Sequence, residues 1–385
     1  MTYGLSKKSG LLLLNIAFVF IGIGTTILGP ILPALSHRWS MSDAHAGSLF
    51  TAQFLGSALG GLLAGIHPVR SAITGFILAA SGLVLLVFAS VHSAVPITFA
   101  YGLGVGLVLT GINLTVSRVA GDKRSEALSW LNFSWSLGAT ICPLLAATFV
   151  VGHVLNRFLS LLSILYVGLA ILIGIYSKSY LQIVTEEVSQ RDTRPASLKF
   201  FIIYFAVLLF LYVGVETTLG GWLSTLASRL PHASVVGAFA ISASSFFWLA
   251  LLVGRGISPL LLKKIPETVL QPAAVGLSVA AICLLLTAQS FLGVAIAGSL
   301  AGLTLAPVFP LSLSFFLSHA DRSRSVGLVF AICGTGGAVL PWITGIVSTY
   351  RHSLQWGLSV PLLAAFLMLL LSLNYVLSVR LRTHS

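Results

Sequence analysis

Asp122-Lys-Arg-Ser125 opens an apolar run that carries Gly138 and, five residues later, Pro143. Far along the chain, Asp321-Arg-Ser-Arg-Ser325 opens a second run with Gly336 and, again five residues later, Pro341. The offsets from Asp to Gly are 16 and 15 residues. A charged turn followed by glycine and proline at the same depth of an apolar run, found once in each half, marks a duplicated unit.

The runs around these two motifs have the length of membrane spans. A helix needs about 20 apolar residues to cross hydrocarbon. Such runs fall at 11–36, 47–66, 71–91, 95–119, 127–151, 156–177, 199–227, 234–254, 269–289, 291–317, 326–349 and 354–378. The two motifs therefore begin spans 5 and 11, the same place in two sets of six. The one long polar connection, 178–198, holds Glu186, Glu187, Arg191, Asp192 and Arg194. The expected organisation is an N-terminal six-helix bundle (1–177), a cytoplasmic linker (178–198) and a C-terminal six-helix bundle (199–385). The fold class is all-α integral membrane, with twelve transmembrane helices.

Composition supports this. Of 385 residues, 57% are apolar and 8% charged, and the mean hydropathy is +1.02. A soluble domain carries about 25% charge, so too little is present here to coat a surface facing water. The runs lack the alternation of barrel strands. The lipid bilayer is the expected partner and a monomer the expected state.

The net charge of +12 follows from topology and not from a nucleic-acid partner. An even number of spans puts both termini on one side. Seventeen of the 21 Lys and Arg fall on that side, while Arg38, Arg157, Arg229 and Arg351 fall on the other. Basic residues stay in cytoplasmic loops, so both termini are expected in the cytoplasm of a cell whose inner (plasma) membrane holds this multi-pass chain. The first run, behind Lys7 and Lys8, is too long for a signal-peptide core and reads as a retained helix. Cys142, Cys283 and Cys333 lie in apolar runs without metal-ligand spacing and read as packing residues. Neither a metal nor a cofactor is expected.

Several stretches carry a resemblance. Span 7 reads Tyr212-Val-Gly-Val-Glu216-Thr-Thr-Leu-Gly220-Gly-Trp222, and span 8 holds Ser245-Phe-Phe-Trp248 and ends Gly254-Arg255. Span 10 has Gly302-Leu-Thr-Leu-Ala-Pro307-Val-Phe-Pro310, and span 11 has Gly336-Gly-Ala-Val-Leu-Pro341-Trp-Ile-Thr-Gly345. With Leu131-Asn-Phe133, Gly138-Ala139 and Pro143, these resemble the fucose-permease-like branch of the major facilitator superfamily, the sugar:proton symporters. The resemblance implies the twelve-helix fold and a sugar-like substrate. Three features depart from it. The fucose transporter uses acids in spans 1 and 4, whereas here span 1 has no acid and only Asn15 as a strong polar side chain, and span 4 has Asn113 but no acid before Asp122. The connection between spans 2 and 3, Gly65-Ile-His-Pro-Val-Arg70, lacks the superfamily's acid.

Glu216 is the one acid set deep within an apolar run. A carboxylate at the bilayer centre costs roughly 2.5–3.5 kcal/mol, so such residues mark ion and substrate pathways. One charge moving through about 100 mV gains roughly 2.3 kcal/mol, enough for accumulation on the order of 50-fold. Glu216 is therefore the proton-coupling candidate; a structural carboxyl bonded to a neighbouring helix is the alternative. Tyr212, Glu216 and Gly220 are spaced by four and share a helix face.

Amides and aromatic rings suit a hydroxyl-rich ligand, because amides both donate and accept while rings cover apolar sugar faces. The substrate-binding candidates are Gln53, Asn113, Asn132, Trp135, Tyr212, Glu216, Trp222 and Trp248. Interhelical hydrogen bonding and interfacial placement of Trp are the competing roles. Arg118 and Arg255, near the cytoplasmic ends of spans 4 and 8, are gating candidates through pairing with loop acids; topology determinants that snorkel are the alternative. The nine histidines fall in loops or near span ends, and no enzyme signature such as His-Glu-x-x-His occurs. No enzyme activity is expected. The function that fits is secondary active transport of a small polar solute, sugar or sugar-like, by alternating access with a proton (or sodium) as coupling ion. The alternative is an exporter of drugs, lipids or other amphiphiles on the same fold.

Overall fold

The computed structural model describes residues 7–65, 67–152, 154–184, 199–231, 237–319 and 324–383. Most of the polar connection (185–198) and the Asp321-Arg-Ser323 part of the second motif lie outside these residues. Every regular element described is helical. Twelve helices have the length and hydropathy to cross a membrane. They are α1 (Ser9–Trp39), α2 (Asp43–Leu63), α3 (Pro68–Phe88), α4 (Val91–Ala120), α5 (Glu126–Val151), α6 (Leu155–Tyr176), α7 (Ile202–Ser228), α8 (Ala243–Leu262), α9 (Glu267–Thr287), α10 (Phe291–Leu313), α11 (Ile332–Arg351) and α12 (Leu354–Asn374). Lipid offers no hydrogen bonds, so a spanning chain must satisfy its own amides within each helix.

Three of the twelve helices are interrupted: α12 at Leu358, between Gly357 and Ser359, and two others beside prolines. Helical geometry in α1 stops between Thr26 and Leu28, just before Pro30 and Pro33, and in α10 it stops between Leu305 and Val308, at Pro307. Proline lacks the amide hydrogen a helix interior needs. Helix starts follow ordinary capping. The Ser90 hydroxyl accepts the Ser93 amide at the start of α4, and the Ser290 hydroxyl accepts the Gly293 amide at the start of α10. The two caps sit at matching places in the two halves.

The chain separates into two compact units. The first comprises Met1–Met41 with Ser48–Arg191, and the second Ser42–Gly47 with Asp192–Ser385. The opening turn of α2 thus groups with the second unit and the rest of that helix with the first.

Inside each unit the helices pair in the same way. In the first, α1 packs on α5, and α3 packs on α4 and α6; in the second, α7 packs on α11, and α9 on α10 and α12. Gly138 and Gly336, the motif glycines, do the same job. A Cβ on Gly138 would overlap the Val19 carbonyl of α1, and one on Gly336 the Phe210 carbonyl of α7. Backbone cannot yield as a flexible side chain can, so only glycine allows these approaches. The contact of α2 with α4 is built likewise: Gly56 and Gly60 face the Phe99 and Leu103 carbonyls, while Gly102 and Gly106 face those of Gln53 and Ser57. In the second unit, Gly302 of α10 meets the Phe247 carbonyl of α8.

Candidate functional site

The second unit gathers most of the chemistry on the facing sides of α7 and α8. Glu216 is 7% exposed. Arg255 Nη2 donates to Glu216 Oε1 at 2.9 Å, an ion pair across 39 residues of sequence. The guanidinium side is the more open, with side-chain exposures of 25% for Arg255 and 10% for Glu216. Tyr212, one turn earlier on α7, is fully buried with its hydroxyl in electrostatic reach of both partners. Its ring lies 5.4 Å from that of Phe309.

One turn beyond Glu216, Gly220 clears space for Trp248. A Cβ there would overlap the indole six-membered ring. The stripe Tyr212, Glu216, Gly220 thus turns toward α8, which answers with Arg255 and Trp248. Trp222 is on another side of α7, fully buried, where its indole nitrogen donates to the Pro341 carbonyl of α11 at 3.2 Å. The proline that ends the repeated motif thus lies where a tryptophan from α7 can reach its carbonyl.

In the first unit, the candidates fall into two groups. Gln53 is 1% exposed and donates through Nε2 to the Thr25 carbonyl of α1 at 2.8 Å. Trp135, partly exposed, donates through Nε1 to the Thr25 hydroxyl at 3.3 Å. These two residues therefore meet at Thr25. Asn113, partly buried, donates to its own helix at Leu109, and Asn132 is exposed on α5. Neither joins the Thr25 group. Arg118 lies in the last turn of α4.

Arg255 departs from its expected surroundings. Its partner is the acid in the middle of α7 and not an acid of a loop. Arg255 also lies inside α8, which continues to Leu262, rather than at its end, and its guanidinium neutralises a carboxylate that would otherwise stand alone in a low-dielectric region.

A second acid–base pair was not legible as a site. Asp43, 8% exposed in the first turn of α2, accepts both terminal nitrogens of Arg229, at 2.6 and 2.7 Å. Ser348 of α11 also donates to the Asp43 carboxylate. The available signal was an acid at a helix start together with one of only four basic residues on the sparsely charged side.

The Major Facilitator Superfamily sequence profile matches residues 14–326. The chain belongs to the Major Facilitator Superfamily. Among curated relatives of this superfamily member, a mouse (Mus musculus) protein called sodium-dependent glucose transporter 1A is 24% identical, covering 88% of this chain and 89% of its own. A glucose/galactose transporter of Brucella abortus is 25% identical, covering 90% and 88%. Among solved structures, a bacterial homologue of the human lysosomal transporter Spinster superposes with a TM-score of 0.74 at 12% identity, covering 95% of this chain and 97% of that one. Such identity speaks for the fold alone. The chain is thus a twelve-span membrane protein of a transporter family whose relatives include sugar transporters.

Proposed function

We propose that this chain is a secondary active transporter for a sugar or sugar-like solute, working by alternating access in a plasma membrane with both termini cytoplasmic, and driven by a proton that Glu216 carries. The observation that carries this reading is the buried pair of Glu216 and Arg255 beside Tyr212 and Trp248. The sugar class is supported by relatives named for glucose and galactose transport. It is supported also by the amide, hydroxyl and indole groups at Thr25, Gln53 and Trp135. Those groups favour a polar solute over the drug and lipid cargo of an exporter.

The pair has the form of a switch. While Arg255 holds the carboxylate, Glu216 is charged and compensated. When the guanidinium swings toward its more open side, the carboxylate must take a proton or stand uncompensated in a low-dielectric region, which is far costlier. Return of Arg255 displaces that proton. Sodium fits less well at this carboxylate, because a guanidinium 2.9 Å from Oε1 occupies a cation's place and repels it. The sodium dependence in the mouse relative's name makes sodium the ion to test against.

The test uses purified protein in liposomes. Glucose and galactose are offered first in counterflow, then in net uptake under an imposed pH gradient or an imposed sodium gradient. A pH gradient should drive accumulation. Glu216→Gln should abolish accumulation while sparing counterflow. Unchanged accumulation in that variant, or accumulation driven by sodium at uniform pH, rules out the proton role. Absence of counterflow for either sugar argues against the sugar reading.

A further inference from the structure

In the first unit, Gln53 has one half of its amide committed and the other half open. Its Nε2 donates to the Thr25 carbonyl at 2.8 Å. That bond fixes the orientation of the amide, since a carbonyl only accepts and the nitrogen alone can donate to it. Oε1 is consequently the free end. Among the described residues it meets no hydrogen-bond donor, although the side chain is 1% exposed. Buried acceptors are rarely left without a partner, and each such group in a native protein has a cause.

The surroundings are rigid on the side of α1. Tyr101 of α4 donates to the Gly24 carbonyl at 2.7 Å, and Tyr166 of α6 to the Phe20 carbonyl at 3.0 Å. With Gln53 and Trp135 on Thr25, four side chains from four helices hold the last two turns before the interruption of α1. The Thr25 hydroxyl itself donates to the Ile21 carbonyl at 2.7 Å and accepts the Trp135 indole, so its lone proton is spent. Gln53 Oε1 is therefore a preoriented acceptor beside partly exposed Thr25 and Trp135. It cannot turn to donate without giving up the Thr25 carbonyl.

We infer that Gln53 Oε1 is an acceptor-only subsite that reads one hydroxyl of the transported solute through its proton. This rests on the proposed sugar reading and sharpens it. A site that only accepts takes a hydroxyl or an N–H. It rejects fluorine, a carbonyl or a methoxy group at the same position, because none of these brings a proton. Burial belongs with such a site, since an occluded ligand is read most strictly where water cannot substitute for it.

The test is a set of monodeoxy and deoxyfluoro glucose and galactose analogues competing in liposome counterflow. In the unaltered protein, one ring position should show about a tenfold loss of affinity on both deoxy and fluoro replacement, the scale expected for a buried hydrogen bond. Gln53→Met, which keeps length but removes the acceptor, should erase the difference at that position and leave the others unchanged. Gln53→Glu, with a protonated carboxyl donating to Thr25, should retain it. If fluoro analogues restore affinity at every position, or Gln53→Met keeps the same profile, Oε1 holds only a trapped water and the inference is overturned. The unaltered protein's own analogue profile decides the first point even where Gln53→Met does not fold. Sugar counterflow with a flat profile removes this inference and leaves the sugar reading standing; no sugar counterflow removes both.

Discussion

Asp43 and Arg229 lie 186 residues apart in sequence and meet through two parallel hydrogen bonds of 2.6 and 2.7 Å. The carboxylate is nearly buried at 9% side-chain exposure while the guanidinium is 43% exposed. The burden of burial thus falls on the acid. Ser348 donates to the same carboxylate, and the Ala44 amide donates to the Thr349 hydroxyl at 2.8 Å. Together they tie the first turn of α2 to α7 and α11.

Removing the base leaves a buried charge without its partner, whereas removing both groups does not. Arg229→Met should therefore destabilise the purified protein more than the double variant Asp43→Asn with Arg229→Met. The expected cost of the single change is about 1–3 kcal/mol, the range for a hydrogen-bonded charge losing its partner. Thermal unfolding in detergent across the double-mutant cycle measures it. Additive effects would show that the two residues are not coupled.

The same asymmetry applies at the centre of the second unit. Arg255→Met leaves the Glu216 carboxylate alone, and breaking such a pair costs about 3–5 kcal/mol. Adding Glu216→Gln should recover much of the lost melting temperature without recovering accumulation of solute. Stability that stays low in the double variant would mean that Arg255 acts through packing of its stem rather than its charge.

Gly220 exists to admit an indole. Gly220→Ala should lower stability by about 1–3 kcal/mol, the usual cost of overpacking, because the added methyl overlaps the Trp248 ring. Trp248→Phe in the same chain should relieve part of that loss. Monodispersity and melting temperature report it, and an alanine tolerated beside the intact tryptophan contradicts the close approach.

Gly138 and Gly336 meet backbone carbonyls of α1 and α7. Neither carbonyl can move aside without shifting a helix. Gly138→Ala and Gly336→Ala should both fall at the upper end of the overpacking range and impair folding to similar extents, as seen in yield on size-exclusion chromatography. A large effect at one and none at the other would break the equivalence of the two repeats.

Much of the architecture was legible because lipid is an unforgiving solvent. A span must be apolar along its whole length and satisfy its own amides, so twelve runs stood out before any contact was known. The glycines of the repeat were legible for a related reason: helices in lipid associate through small residues, which leave a mark in sequence at fixed depth. Glu216 stood out because a lone acid is expensive there. The short interruptions of α1 and α10 coincide with prolines visible at 30, 33 and 307.

The residues' partners were not legible. The sequence by itself determined the solvent, the number of spans and the duplication, since each follows from composition and periodicity along one dimension. Only the tertiary structure decided that Arg255 belongs to Glu216, Arg229 to Asp43, Trp248 to Gly220 and Gln53 to Thr25. Those choices depend on which helix faces meet, and between the members of each pair runs a stretch of chain with no period relating one to the other. Charge pairing and hydrogen bonding act over a few ångströms of space whatever the separation in sequence, so the positions of charges limit the candidates while packing selects among them.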